Sequence, residues 1–302
     1  MRKVIAIGES VLDTVFNGNV PVKAMVGGRI ACAAATLGEL GVPVTMVSEC
    51  CRDNVGDIVV DYLERHNVDT HSIDRYTDGT TALSAIFRLN DGSEKIVNYG
   101  VYPSDNRFDV VWPRIDEDDI VLFGSLYAID QPQRERLFEL VNYAVSRKAI
   151  VMYLPGFQHG INFRITRVMP AILENLEVSD IVLAHTRDID TIFPGEKSGE
   201  AYSEHIGFYS PNYVHVHSDL SLSLYSRDGR CELAASAATE NLLGWQAGLT
   251  AGIINELINR DISRAMLQKM PVIVWKAILS SAVTVASRCA SSEENCISDF
   301  AG

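Results

Sequence analysis

The chain has 302 residues, and its 39 acidic side chains outnumber its 26 basic ones, which gives a formal net charge of −13. Nucleic acids and anionic membrane surfaces bind clusters of Lys and Arg, so this charge excess argues against both as partners. With 47% hydrophobic and 22% charged residues, the composition is typical of a globular protein with a large core.

Short apolar runs alternate with amphipathic segments along the chain. The apolar runs predict buried strands at Val4–Ile7, Thr45–Val47, Ile120–Phe123, Ile150–Leu154, Ile181–Ala184 and Tyr213–Val216. Helical periodicity between them predicts helices at Ala33–Leu40, Asp57–His66, Arg134–Ser146 and Thr166–Glu174. Strands that alternate with helices of this length favour an α/β fold, in which helices cover both faces of a mostly parallel sheet.

A second pattern interrupts this alternation near Thr80–Asn98, where two β-rich segments flank Asn90-Asp91-Gly92 and predict a hairpin. We expect two lid excursions, at about residues 14–26 and 80–100, over the carboxyl edge of the sheet, where open α/β sheets bind ligands. With no low-complexity linker in the sequence, we expect a single domain over residues 1–302.

Two apolar stretches raise the question of a leader or a membrane span. Val4–Ile7 is too short for the apolar region of a signal peptide, and Pro271–Ala286 contains Lys276. The sequence therefore predicts a cytoplasmic protein with no membrane segment.

The six cysteines, at positions 32, 50, 51, 231, 289 and 296, predict free thiols because no secretory signal accompanies them. Cys50 and Cys51 are adjacent and lack a C-x-x-C partner. The ligand spacing of a zinc site is missing, so we expect no metal ligands.

Glycine spacing excludes two phosphate-binding motifs. No two glycines are separated by a single residue, and no G-x-x-x-x-G-K-[ST] occurs, so neither a dinucleotide fingerprint nor a P-loop is present. Gly27-Gly28 precede an Ala-rich helix whose N–H groups would face a ligand or their own loop. Gly244, Gly248 and Gly252 recur every four residues, which predicts a helix that approaches the sheet closely.

Several of these features together resemble the ribokinase or PfkB family of carbohydrate kinases. They are Gly8-Glu9 with Asp13, Gly27-Gly28 and the run to Leu40-Gly41, Gly56, and the Asn67–Thr70 segment. The resemblance covers nearly the whole chain. It implies a ribokinase-like three-layer sandwich with a small β lid, and transfer of the ATP γ-phosphoryl group to a sugar or nucleoside, with ATP and Mg²⁺ as cofactors.

In that family a late Gly-Ala-Gly-Asp provides backbone amides for an anion hole and an Asp that acts as the base. Here the matching segment is Gly244-Trp245-Gln246-Ala247, so Ala247 occupies the base position. We therefore predict no catalytic residue. Glu240 is an acid in the preceding segment, seven residues from the required position.

The resemblance also implies binding residues. On the nucleotide side these are Asp188, His217 and Gly244, although His185–Asp188 replaces Asn-x-x-Glu and His217–Asp219 replaces Thr-x-Gly. On the sugar side they are Asp13, Gly27 and Gly28, with Cys32 at the position of an Asn. Asp13 could instead cap a turn, and Arg29 could add a cation for an acidic ligand.

Three functions follow as hypotheses. The first is a degenerate member of the family, a pseudokinase that has lost phosphotransfer and keeps ligand binding or a scaffold role. The alternative is an active carbohydrate or nucleoside kinase with a rearranged site. The third is a regulatory partner that forms a homodimer through the lid.

Overall fold

The computed structural model describes residues 2–89, 94–104, 108–129, 131–157, 164–237, 239 and 241–297. The strands in chain order are β1 (Val4–Ile7), β2 (Val11–Asn17), β3 (Val20–Gly27), β4 (Val44–Cys51), β5 (Val68–Asp69), β6 (Ile73–Tyr76), β7 (Thr80–Arg88), β8 (Glu94–Val101), β9 (Ile120–Gly124), β10 (Ile150–Leu154), β11 (Ile181–His185), β12 (Asn212–Val216), β13 (Leu222–Ser226) and β14 (Gly229–Leu233). The helices are α1 (Arg29–Glu39), α2 (Asn54–Arg65), α3 (Gln131–Ser146), α4 (Ile165–Val178), α5 (Thr186–Ile192), α6 (Ser198–Ala201), α7 (Gly207–Tyr209), α8 (Leu242–Asn259), α9 (Arg264–Leu267) and α10 (Val272–Ala290).

The larger sheet has the strand order β14-β13-β12-β11-β10-β9-β1-β4-β5. β6 pairs with the carboxyl-terminal half of β4. Its strands are parallel from β12 to β5, and β13 and β14 add an antiparallel edge. The parallel strands are runs of Val, Ile and Leu because helices cover both faces. The predicted α/β fold with a mostly parallel sheet is confirmed.

Side chains alternate between two cores on the two faces of this sheet. Val4 and Ala6 of β1 pack into the core that α1, α2, α8 and α10 cover. Ile5 and Ile7 pack into the opposite core, under α3, α4 and α5. These two helical layers with the sheet between them form the three-layer sandwich.

The smaller sheet has the order β3-β2-β7-β8. β7 and β8 pair antiparallel, as the hairpin prediction requires, while the predicted turn residues Asn90-Asp91-Gly92 lie outside the described residues. Its exposed apolar side chains include Val20, Val22, Tyr99 and Val101. Homodimerisation through this sheet remains a prediction.

The glycine face of α8 contacts α10, so the prediction that it approaches the sheet was wrong. A Cβ at Gly248 would lie 2.8 Å from Ala286 Cα, and one at Gly252 would lie 2.6 Å from Ala282 Cα. The sequence could not specify this neighbour because α8 is apolar on nearly all sides, and each face therefore has a core to pack against.

α10 is long and apolar enough to cross a membrane by length and composition. Its buried residues form one stripe that packs against α8, and they are Trp275, Ile278, Leu279, Ala282, Ala286 and Cys289. Its exposed side carries Lys276, Ser280 and Arg288. This is the pattern of an amphipathic helix that covers a protein core.

Candidate functional site

The parallel strands of the larger sheet end along one edge, and the segments that follow them meet there. Glu9 follows β1, Ser125 follows β9, and residues 155–157 follow β10. Asp188 lies in α5 directly after β11, and His217 follows β12. The structure thus brings Asp188 and His217, which were predicted for the nucleotide side, to the edge where open α/β sheets bind ligands.

Two buried charged residues, Arg29 and Asp188, and the half-buried Glu9 lie at this edge. Arg29, the first residue of α1, is only 6% exposed and interacts electrostatically with Asp188 and Glu9. Burial lowers the pKa of Arg29 and raises the pKa of both carboxyl groups, while the opposite charges counteract these shifts. Arg29 Nη1 is buried and has no hydrogen-bond partner among the described residues, so the expectation that Arg29 adds a cation for an acidic ligand stays a prediction.

The Asp188 carboxylate is engaged by the backbone. It accepts hydrogen bonds from Phe157 N (2.6 Å) and from His185 N (2.9 Å), so it joins the segments after β10 and β11. Asp188 is fully buried. Each of its oxygens accepts one backbone hydrogen bond and keeps a second lone pair, so the role of Asp188 beside a nucleotide stays a prediction.

A row of imidazoles follows on β11 and β12. Burial lowers the pKa of His185 well below its usual value and that of His215 to about 3, so both rings are neutral at pH 7. His215 stacks edge-on against His217, whose Nε2 lies 2.7 Å from Ser223 Oγ. The sequence interpretation missed His215, although its place two residues before His217 was visible.

Asp219 adds a negative charge beyond this row. The Ser221 hydroxyl and backbone N–H bind its carboxylate and lower its pKa, so Asp219 is ionised at pH 7. Neutral imidazoles and an ionised carboxylate provide little attraction for a polyphosphate.

The start of α8 contains the segment that matches the family signature. The helix begins at Leu242, two residues before Gly244, and Asn241 caps it by accepting the Gly244 N–H (2.9 Å). Trp245 N–H donates to Asn241 O (3.1 Å). These backbone amides are thus bonded within the helix and its cap, which leaves them unable to cradle an anion.

The side chains of this segment are equally enclosed. Trp245 is 1% exposed, Gln246 is 2% exposed and Ala247 is fully buried. Asn241 Nδ2 also donates to Ser292 O (3.2 Å) and Cys289 O (3.4 Å), which fixes the start of α8 to the end of α10. Ala247 therefore places a buried methyl group at the base position, and Glu240 lies outside the described residues.

On the sugar side, Asp13 and the two glycines lie together. Asp13 is on β2, and a Cβ at Gly27 on the adjacent β3 would overlap its carboxylate. Gly28 has φ +90, and a Cβ there would lie 2.5 Å from Glu9 O. Both positions require glycine because the backbone approaches these groups closely.

Cys32 has a different environment. It is fully buried in α1, and its Sγ lies 3.6 Å from Val26 O. Burial raises its pKa well above that of a free thiol. The structure therefore places Cys32 in the core between α1 and its neighbours, and its contact with a substrate remains a prediction.

Asp13 predicts a pH dependence of stability. Burial raises its pKa to about 7, against the lowering effect of the Ser84 hydroxyl. The folded protein then keeps a proton that the unfolded chain loses near pH 4, so stability falls as pH rises from about 4 to 7. We expect Asp13→Asn to remove part of this slope, measured by urea unfolding at several pH values. A slope identical in both proteins would contradict the raised pKa.

Two cavities lie away from this edge. One of about 410 Å³ is lined by Tyr202, Ser203, Gly207 and Phe208. The other, of about 250 Å³, is lined by Asn212, Ser226, Arg227, Asp228, Gln268, Lys269 and Met270. Neither contains a residue of the predicted sugar or nucleotide sites.

Residues 1–205 match the sequence profile of the pfkB family of carbohydrate kinases. The chain belongs to this family. A 5-dehydro-2-deoxygluconokinase of Clostridium botulinum is 26% identical over 223 residues, which are 69% of this chain and 64% of that relative. A Pyrococcus horikoshii relative is 24% identical over 170 residues, 54% of this chain and 53% of its own. The chain thus spans about half to two thirds of the length of these curated relatives.

Solved structures of kinases share the fold of this PfkB protein. The aminoimidazole riboside kinase of Salmonella enterica, complexed with aminoimidazole riboside and an ATP analogue, superposes with a TM-score of 0.79 at 15% identity, covering 97% of this chain and 95% of that one. The fructokinase of Xylella fastidiosa gives 0.77 at 18% identity, covering 98% and 95%. At these identities the likeness establishes the ribokinase-like fold.

Proposed function

We propose that this chain is a PfkB-family protein that has lost phosphotransfer and retains the binding of a small polyhydroxylated ligand. The observation that carries the proposal is the start of α8. The signature segment lies inside the helix, where Trp245 N–H is bonded to Asn241 O and Ala247 is a buried methyl group. The carboxyl group of the family base is thus missing at position 247, and the Gly244 and Trp245 amides are already bonded to Asn241.

ATP and Mg²⁺, the cofactors that the family implies, do not fit the residues at this edge. Each oxygen of the Asp188 carboxylate already accepts one backbone hydrogen bond, Asp219 is ionised, and His185 and His215 are neutral. Arg29 is buried and interacts electrostatically with Asp188 and Glu9. A polyphosphate with its metal ion would meet few free positive groups at the described edge of the sheet.

The ligand part of the proposal rests on Asp13. Its carboxyl group lies beside Gly27, which leaves the backbone of β3 close to it, and a carboxylate can accept hydrogen bonds from two hydroxyl groups. The kinases with this fold include ones named for fructose and for aminoimidazole riboside. We therefore expect a sugar or a nucleoside as the ligand class.

Steady-state turnover tests the loss of phosphotransfer. With ATP·Mg²⁺ and a panel of fructose, aminoimidazole riboside and 5-dehydro-2-deoxygluconate, we expect rates at least about 10⁴-fold below the ~1–100 s⁻¹ of ordinary kinases. The Xylella fastidiosa fructokinase with fructose is the positive control in the same assay. A rate in the ordinary range would establish the alternative, an active kinase with a rearranged site.

Thermal unfolding with the same panel tests ligand binding separately. A sugar or nucleoside that binds the folded state raises Tm, and Asp13→Asn is expected to remove that rise, while ATP·Mg²⁺ alone is expected to leave Tm unchanged. If the rise in Tm persists in Asp13→Asn, the ligand binds at a site that does not include Asp13.

A further inference from the structure

The larger sheet ends on one side at β14, which has a neighbouring strand on one edge only. Among the described strands, β13 alone pairs with β14. Arg230 and Glu232 of β14 are exposed, and Cys231 and Leu233 are half-buried. An unpaired edge strand offers main-chain hydrogen bonds to any further strand that fits it.

The turn between β13 and β14 determines which backbone groups of β14 face outward. Only two residues separate the paired residues Ser226 and Gly229, so these two form the hydrogen-bonded pair that closes the hairpin. Bonding then alternates along the strand: the odd-numbered residues of β14 bond to β13, and Arg230 and Glu232 direct their N–H and C=O groups away from it. Among the described residues, no other segment bonds to these outward backbone groups.

The side chains of β14 alternate between the two faces of the sheet. Cys231 and Leu233 pack against the core that α10 covers. Arg230 and Glu232 therefore lie on the opposite face, where both are exposed. The edge strand thus presents a positive and a negative side chain, two positions apart, on one face.

These two charges select one register for a second copy of the strand. In an antiparallel pair with its two-fold axis at Cys231, Arg230 of each copy lies opposite Glu232 of the other. Both residues face outward, so both pairs are hydrogen-bonded pairs, and each joins opposite charges. An axis at Arg230 or at Glu232 would instead place like charges opposite each other, which destabilises a sheet. With the axis at Cys231, β14 is complementary to itself.

The start of α10 adds an apolar contact at the same edge. A Cβ at Gly229 would lie 3.5 Å from Val272 Cγ2, so α10 begins beside β14, and the next residue, Ile273, is 72% exposed. In the register with the axis at Cys231, Gly229 lies opposite Leu233 of the second copy. That leucine is on the α10 face, and Gly229 has no side chain to occupy the space beside it. Pairing therefore covers apolar surface as well as backbone groups.

We propose that two copies of this chain associate by antiparallel pairing of β14, with the two-fold axis at Cys231, so that their larger sheets form one continuous sheet. The interface is isologous, because the same strand contributes both halves. It goes beyond the proposed function, since it includes no residue of the candidate site. It also differs from the lid, through which the sequence predicted a homodimer.

Sedimentation equilibrium of the full chain tests this interface. We expect a reversible dimer, which Arg230→Glu and Glu232→Arg each weaken by about 10-fold or more, because each places like charges opposite one another at both symmetric positions. The double substitution Arg230→Glu with Glu232→Arg keeps the net charge and restores both pairs, so it should recover the dimer. Lys23→Glu, which makes the same charge change as Arg230→Glu on an exposed residue of β3 in the lid, is the matched control and should dimerise as the parent does.

Cross-linking tests the position of the axis. Cys231 is half-buried, whereas the other five cysteines are buried. Opposite residues of a non-hydrogen-bonded pair have Cα atoms about 4.5 Å apart, which a disulfide spans. Copper phenanthroline, which accepts one electron from each of the two thiols as they lose their protons, should link the parent into a covalent dimer. It should not link Cys231→Ser, which should still dimerise without the bond.

Three outcomes would overturn the proposal. The first is a parent that stays monomeric at about 100 µM, a concentration at which weak specific interfaces associate; the charges of β14 would then protect the edge from pairing. The second is a dimer that Lys23→Glu dissociates and Arg230→Glu does not, which would assign the interface to the lid. The third is a dimer that the charge swap fails to restore or that oxidation fails to link through Cys231.

Discussion

Arg29→Met is expected to lower the free energy of unfolding by about 3 kcal/mol, the low end of the cost of removing one partner from a buried ionic cluster. Arg29 is 6% exposed, and its guanidinium is the positive charge that interacts electrostatically with Asp188 and Glu9. Methionine fills much of the same volume, so the loss reports mainly the uncompensated carboxyl groups. Urea unfolding, monitored by circular dichroism, measures it.

Arg187 provides a matched control for this substitution. Its side chain is exposed, and it also interacts electrostatically with Asp188. Arg187→Met should change stability by less than about 0.5 kcal/mol. Combining Arg29→Met with Glu9→Gln should recover part of the loss, because it removes one of the stranded charges. Equal effects of the two single substitutions would show that Arg29 does not hold the cluster together.

Ala247→Asp, which introduces a carboxyl group at the family base position, is expected to lower stability by about 3 kcal/mol and to leave phosphotransfer unchanged. Position 247 is fully buried in the core under α8, so the new group loses its hydration and must also be accommodated sterically. The amides that an active family member needs would still be bonded within the helix and to Asn241.

Ala247→Asn separates charge from size. A carboxyl group at this position would have its pKa raised by burial, so the folded state keeps its proton above pH 4 and the stability of Ala247→Asp falls as pH rises. Ala247→Asn has nearly the same volume and should lack that slope. A gain of about 10²–10⁴ in turnover for Ala247→Asp would contradict the loss of the anion hole, because it would leave the missing base as the only defect.

The sheet strands were predictable because their apolar runs are short, bounded by turns and buried on both faces. The helix that packs against α8 was not predictable, because Gly248 and Gly252 indicate a close approach but not which element makes it. The resemblance directed attention to Gly244–Ala247, yet it contained no information on where the helix begins. That boundary depends on Asn241, a capping residue whose partners, Ser292 and Cys289, are distant in sequence.

The residues at the carboxyl edge of the larger sheet show the same limit: the sequence indicated where they lie, but not which distant residues they contact. Asp188 was predicted near the nucleotide position because it aligns with the Glu of the family's Asn-x-x-Glu. Its hydrogen bonds from Phe157 N and His185 N depend on how two loops meet in space. Likewise Arg29 was visible as a charge beside two glycines, whereas its burial and its electrostatic interaction with Glu9 and Asp188 required the packed structure.

The segment after α10 has a consequence for the order of folding. Asn295 Nδ2 donates to Val26 O (3.3 Å) across 269 positions of sequence, and Asn241 joins the same segment through Ser292 O. Contacts of such long separation form late, because the loop between the partners must close first. A chain emerging from the ribosome therefore keeps the β3–α1 junction incompletely bonded until Asn295 has been synthesised, so interrupted translation should leave this junction open to chaperones and proteases.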